Sequence, residues 1–221
     1  MDFTSPFLPG YLSWLLNILV LVLTLAVGIK TDWARIIKHR KHSVWLNSIF
    51  FLSLIWMLRA SLPSGLNAHL LGTMLITLMF GWRLGVLAMT LVCLLVSLWG
   101  NSPLVNLGVT VLINAYLSVS ICYLFFLVIE ASLPRHLFIY LLLSAFFGSA
   151  INFIIVGTVS VLLLALFHAY DWHMLIHEFL PYYYLLSFAE AFISCGLITV
   201  FVVYRPEWVY SFRDERYLKG K

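Results

Sequence analysis

One histidine, His69, opens an apolar segment that runs from Asn67 to Gly81 and reads NAHLLGTMLITLMFG. An ionisable side chain at the mouth of a hydrophobic helix is costly unless it faces a cavity, a partner or a ligand, and neutral imidazole is the commonest metal ligand. His69 therefore reads either as a buried hydrogen-bonding group or as a metal ligand. Glu190 stands near the middle of a later apolar run, where it is either protonated or hydrogen-bonded to a neighbouring helix, or touches a cation directly.

His173 and His177, with His168, Asp171 and Glu178, form a third group. Residues at i and i+4 share a helix face, so the pair could hold one ion as a metal-collecting funnel; an interfacial helix whose polar face meets water accounts for the same residues. His177-Glu178 lacks the second histidine of a zinc-protease H-E-x-x-H, and no Walker motif is present, so ATP hydrolysis would need another chain. Cys93, Cys122 and Cys195 lie apart inside apolar runs, as packing residues rather than a disulfide or zinc framework. An intramembrane enzyme built on His69, Asn114 and Glu190 has no recognisable nucleophile arrangement.

The elements that must position these groups follow from composition. With 63% apolar and 10% charged residues and a mean hydropathy of +1.02, the chain is far from a soluble domain, in which about a quarter of residues are charged. It is expected to be an all-α polytopic membrane protein forming a single domain over residues 1–221. Spans are expected at about 11–29, 43–58, 68–81, 84–99, 104–129, 137–167 and 180–204. The third is short enough to tilt, sit deep or fail to cross fully. The first thirty residues show neither a basic n-region nor a small-residue cleavage site, so no removable signal peptide is expected and Met1 stays.

Charge sets the orientation. The segment KTDWARIIKHRK after the first span should be cytoplasmic, which puts the amino terminus outside and the carboxy terminus inside. Seven spans then leave only Arg59, among all Lys and Arg, on the outer side. The net charge of +4 is spread along the cytoplasmic edge, where it meets anionic lipid or a partner; no nucleic acid is needed. Small residues recur at helical spacing (Gly81 with Gly85; Ser187, Ala191 and Cys195; Gly148 with Ala150 and Gly157), as for close helix packing. Trp14, Trp45, Trp99, Trp172 and Trp208 read as an interfacial aromatic belt.

HLLGTMLITLMFG resembles the H-x-T-G-T opening of the third span in the CbiM/NikM family, the cobalt/nickel-type substrate-binding membrane subunits of energy-coupling-factor transporters. His69, Gly72 and Thr73 fit, and Leu71 replaces the first threonine. PLVNLGVTVLINAYLSVSICYLFF, LLLSAFFGSAINFIIVGTVSVLLLAL and SFAEAFISCGLITVFVVYRPE resemble the family's fifth, sixth and last helices, the last with its buried A-E at Glu190. MDFTSPFLPGYLSW resembles its M-H-I-x-x-G-x-L-P amino terminus. The resemblance covers essentially the whole chain.

It implies that the free amino terminus threads into the protein and binds Co(II) or Ni(II) as transported substrate, which nominates Met1, Asp2 and His69. Asp2 stands where the family has histidine, so a carboxylate oxygen replaces an imidazole nitrogen; this should weaken a square-planar nickel preference and admit harder ions. Thr110 stands in place of an asparagine and Ser149 in place of an aspartate, with Asn114 and Asn152 about one turn further along to take over. Asn67 and Thr73 complete the secondary polar positions.

The resemblance thus implies a substrate-capturing membrane subunit, not itself an enzyme, working in a bacterial plasma membrane with a coupling transmembrane subunit and cytoplasmic ATPases. The alternative is a membrane protein of the same fold that serves metal delivery, sensing or complex assembly without ATP-driven transport.

Overall fold

In the computed structural model the described residues are 7–34, 41–58, 60–61, 67–99, 103–212 and 217. They form α1 (Gly10–Ile29), α2 (His42–Met57), a two-residue antiparallel ladder of β1 (Ala60–Ser61) with β2 (Asn67–Ala68), α3 (Thr73–Trp99), α4 (Leu104–Ser132), α5 (Leu137–Leu166) and α6 (Trp172–Tyr204). Five of these helices, α1 and α3 to α6, are long and apolar enough to cross a membrane, and α2, at 16 residues, is shorter. Helices are the expected solution here, because a hydrocarbon environment offers no water to the backbone and a helix pairs its own amides.

Burial divides the helices by role. In α3 most of the chain from Thr73 to Val96 is buried, whereas in α1 only Ser13 and Val20 are, and Leu15, Ile18, Leu21, Val22 and Leu25 point outward. α1 is a lipid-facing helix held by polar pegs. Asn17 donates to the carbonyl of Leu104 at 3.2 Å and accepts from the amide of Gly108 at 2.6 Å, and Thr24 meets the Tyr116 hydroxyl at 3.1 Å. α5 and α6 run antiparallel and interlock where Gly157 leaves room for the Tyr183 ring, which stacks on Phe153 with centroids 4.3 Å apart. A β-carbon at Gly157 would lie 2.1 Å from that ring, so the expectation of close packing at this glycine holds.

The separate spans expected at 68–81 and 84–99 are the two parts of α3, and the first is not a full helix. Gly81 has φ 78 and ψ −176, a conformation that is essentially glycine-only, and it turns the chain back on itself. The position of a β-carbon on Gly85 lies 3.7 Å from the Cα of Thr77; eight residues along a straight helix would put them about 12 Å apart. Residues 73–80 and 82–99 are therefore an antiparallel pair. Gly81 is a turn, not half of a small-residue packing motif with Gly85.

A half-helix that ends inside a bundle leaves its last carbonyls without partners. Here the segment after α6 supplies them, with Tyr210 N donating to Met79 O at 3.0 Å and Ser211 N to Leu78 O at 3.1 Å. The Ser211 hydroxyl also donates to Leu78 O at 2.9 Å and lies 2.7 Å from the Tyr140 hydroxyl. What reads in sequence as a plain tail is, as far as Phe212, a cap.

Two other expectations change. The last span, expected at 180–204, begins at Trp172, because Asp171 caps the helix by accepting from the amide of His173 at 3.0 Å. Trp45, expected in the interfacial belt, is buried, with its indole N–H on the carbonyl of Leu84 at 3.2 Å. Trp14, Trp99 and Trp172 do lie exposed.

Candidate metal centre

The four residues before the half-helix, 69–72, are unwound, with His69 and Leu71 buried and Leu70 and Gly72 half-buried, an arrangement tolerated at membrane depth only where protein covers the backbone. Several of its polar groups have identifiable partners. Trp56 Nε1, from α2, donates to Leu71 O at 3.1 Å. The Glu190 carboxylate, from α6, accepts from Leu71 N at 2.9 Å and from Gly72 N at 2.7 Å. Gly72, with φ 66, lets the chain pass against Leu52 and accepts from Ile76 N at 3.1 Å to begin the helix.

Glu190 thus answers the question its position poses. It is 2% exposed, and it is bound to the backbone of a neighbouring segment 118 and 119 residues away in sequence. A carboxylate bound to amides at the start of a helix is also favoured by the positive end of the helix dipole. Its further contact, from Ser194 on its own helix, is 3.5 Å long.

His69 is 2% exposed and packs at a tilt against Trp56, the ring centroids 4.1 Å apart and the planes at 37°. Its Nδ1 lies 3.1 Å from the carbonyl of Leu70. A carbonyl only accepts, so Nδ1 carries the proton and the lone pair of the neutral ring is on Nε2. Fixing tautomer and ring plane in this way is how a metal-binding histidine is prepared. Sequence reasoning missed Trp56 and Leu52; the available signal was a tryptophan in the last turn of α2, close before His69 in the chain.

Of the secondary polar residues, Thr73 is fully buried as the first residue of the half-helix. Asn152 Nδ2 donates to the Ser118 hydroxyl at 2.9 Å and ties α5 to α4. Thr110 and Ser149 donate to carbonyls of their own helices, those of Asn106 at 2.9 Å and Ala145 at 2.6 Å, which is a structural use. Asn114 is fully buried in the wide turn Leu112–Leu117 of α4, where π-type geometry re-aims side chains relative to a regular helix.

His173 and His177 are exposed on α6, their ring centroids 4.3 Å apart, and Glu178 beside them is exposed as well. Among the described residues no group of three or more His, Cys, Asp and Glu side chains comes together to hold a metal. Met1 and Asp2 lie outside the described residues, as does the side chain of Asn67, whose backbone sits in β2.

A buried, unwound segment that carries a tautomer-fixed histidine and leads into a half-helix within a membrane bundle is the architecture of a membrane transport component. The sequence comparison is specific: the chain belongs to the family of cobalt uptake substrate-specific transmembrane regions, CbiM, whose model matches residues 4–208. It is a multi-pass membrane component of metal uptake. A search of curated proteins gives no match. Two solved structures share its fold. A transition metal transporter superposes with a TM-score of 0.76 at 17% identity over 94% of each chain, and a truncated transition metal transporter with 0.74 at 17% identity over 92% of this chain and 98% of that one.

Proposed function

We propose that this chain is the substrate-capturing subunit of an energy-coupling-factor transporter for a divalent transition-metal cation of the cobalt/nickel type, which is its substrate. The observation that carries the reading is His69, buried at an unwound membrane segment with its neutral tautomer fixed by Leu70 O. In this reading Met1 and Asp2 bring the remaining ligands. Family membership supports that ligand set through the amino-terminal resemblance, and the Asp2 carboxylate broadens selectivity away from strict nickel preference.

The same reading gives seven crossings. The third combines the unwound stretch with 73–80. An unwound residue advances up to about 3.3 Å against 1.5 Å for a helical one, so residues 67–80 reach roughly 30 Å, the thickness of the hydrocarbon core. The Gly81 turn and the segment 205–212 then face the cytoplasm of a bacterial cell, where the coupling subunit and ATPases dock, and His69 opens outward.

The test is metal titration by calorimetry with Co(II), Ni(II), Zn(II) and Mn(II) on protein whose native amino terminus is free. Saturable binding that His69→Ala removes, and that Asp2→His shifts toward Ni(II), is the expected result. No binding by the native chain and none restored by Asp2→His would overturn it.

A further inference from the structure

A cavity of about 720 Å³ opens beside the Gly81 turn, at the opposite end of the half-helix from His69. It is walled by the α1–α2 connection (Thr31 and Asp32), the head of α2 (Lys41), the turn itself (Gly81 to Leu84), α4 (Ser120, Tyr123 and Leu124) and Tyr210. This is far more space than a metal ion needs, and its lining is of two kinds.

One part is cationic. Among the described residues, Arg83 and Lys41 line it with one acidic residue, Asp32. Arg83 donates to the carbonyl of Lys30, which anchors the guanidinium at the cavity; a planar fork of this kind suits phosphate oxygens. The other part is apolar and aromatic: Met79, Phe80, Trp82, Leu84, Tyr123 and Leu124. Leu124 is 60% exposed on a membrane-spanning helix, so the apolar wall continues onto the lipid-facing surface. Trp82 is held by its indole N–H on Ser120 at 3.0 Å.

Cations at the mouth, amphipathic rings at the level of the headgroups and an apolar wall running out to the bilayer describe one ligand, an amphiphile with an anionic head. We infer that this cavity binds the phosphate headgroup of an anionic membrane phospholipid, with the acyl chains lying along Leu124 and the outer face of α4. Basic pockets between membrane helices hold lipid headgroups in this manner. A free phosphate would meet Arg83 and Lys41 but would leave the apolar wall unmatched. A lipid seated here touches the Gly81 turn and Tyr210, whose amide caps the half-helix, and so braces the segment that carries His69. The inference does not depend on which metal, if any, His69 holds.

The experiment is native mass spectrometry of the detergent-purified full chain titrated with phosphatidylglycerol or phosphatidylcholine. Parallel samples carry Arg83→Gln with Lys41→Gln, or Arg135→Gln, an exposed cation that does not line the cavity. The expected result is a preference for phosphatidylglycerol that the double variant lowers by about tenfold and Arg135→Gln leaves intact, and that excess inorganic phosphate does not abolish. Circular dichroism of the double variant establishes that it is folded. Equal retention of the two lipids, or a preference the folded double variant keeps, overturns the inference. Displacement of the lipid by inorganic phosphate at equal concentration overturns it in favour of a free-anion site, and photocrosslinking from Tyr123 to a protein subunit rather than to lipid overturns it in favour of a protein partner.

Discussion

The two histidine regions of this molecule are built on opposite principles. His173 and His177 are adjacent on one helix face, exposed, and positioned by little beyond the Asp171 cap. His69 is a single histidine, buried, clamped between Trp56 and Leu70 O, on a segment whose amides are held by Glu190. By spacing alone the first offers two ligands on one helix face, yet the residue nominated from the sequence is His69. Burial and the hydrogen bond to Leu70 O hold His69 in one geometry, and a ligand that cannot rearrange is what discrimination between ions requires.

The largest effect that would sharpen this contrast is that of His69→Ala. In calorimetric titration it should lower divalent-metal affinity by at least about a hundredfold, as expected for loss of a ligand whose mere supporting partners are each worth roughly 10–100-fold. An unchanged affinity would break the comparison at its root.

Next is Glu190. Glu190→Ala leaves the amides of Leu71 and Gly72 buried without acceptors, a loss of several kcal/mol in a membrane setting, read as a lower midpoint in thermal unfolding in detergent. Metal affinity should fall about 10–100-fold with it. Glu190→Gln keeps one carbonyl acceptor and should recover part of both losses; a Glu190→Gln protein as weak as Glu190→Ala would show that charge, not hydrogen bonding, holds the segment.

Gly72→Ala is expected to be milder. A left-handed φ costs a non-glycine residue about 1–2 kcal/mol, and the new β-carbon would meet a Leu52 methyl at 2.6 Å, the end of a flexible side chain. Hydrogen exchange across 69–76 should rise, with a modest loss of stability. The smallest effect belongs to the exposed pair, where His173→Ala with His177→Ala should leave high-affinity metal binding within about twofold, as surface substitutions usually do. A tenfold loss there would invert the comparison and make the pair part of the primary site.

Much of the fold was legible in the residue order, and for a clear reason. The bilayer sums hydropathy locally, so runs such as Tyr11 to Ile29 announce membrane helices whatever their neighbours. Gly81-Trp82-Arg83 was legible as a break in the third apolar segment, and His69 as the ionisable group that needed an explanation. Misread were the quantities that depend on who the neighbours are. Trp45 looks like a belt residue until α3 supplies the Leu84 carbonyl, and the last span looks as if it starts near Leu180 until the Asp171 side chain caps a helix at Trp172.

The class of protein, the apolar segments and the identity of the buried ionisable residues therefore follow from composition and order, because they rest on transfer energies that each segment feels alone. The pairing of Glu190 with Leu71 and Gly72, the capping of Leu78 and Met79 by the residues after α6, and the seating of His69 on Trp56 belong to the packed bundle. A buried polar group must find a partner, but which one it finds is set by the geometry that brings segments more than a hundred residues apart into contact.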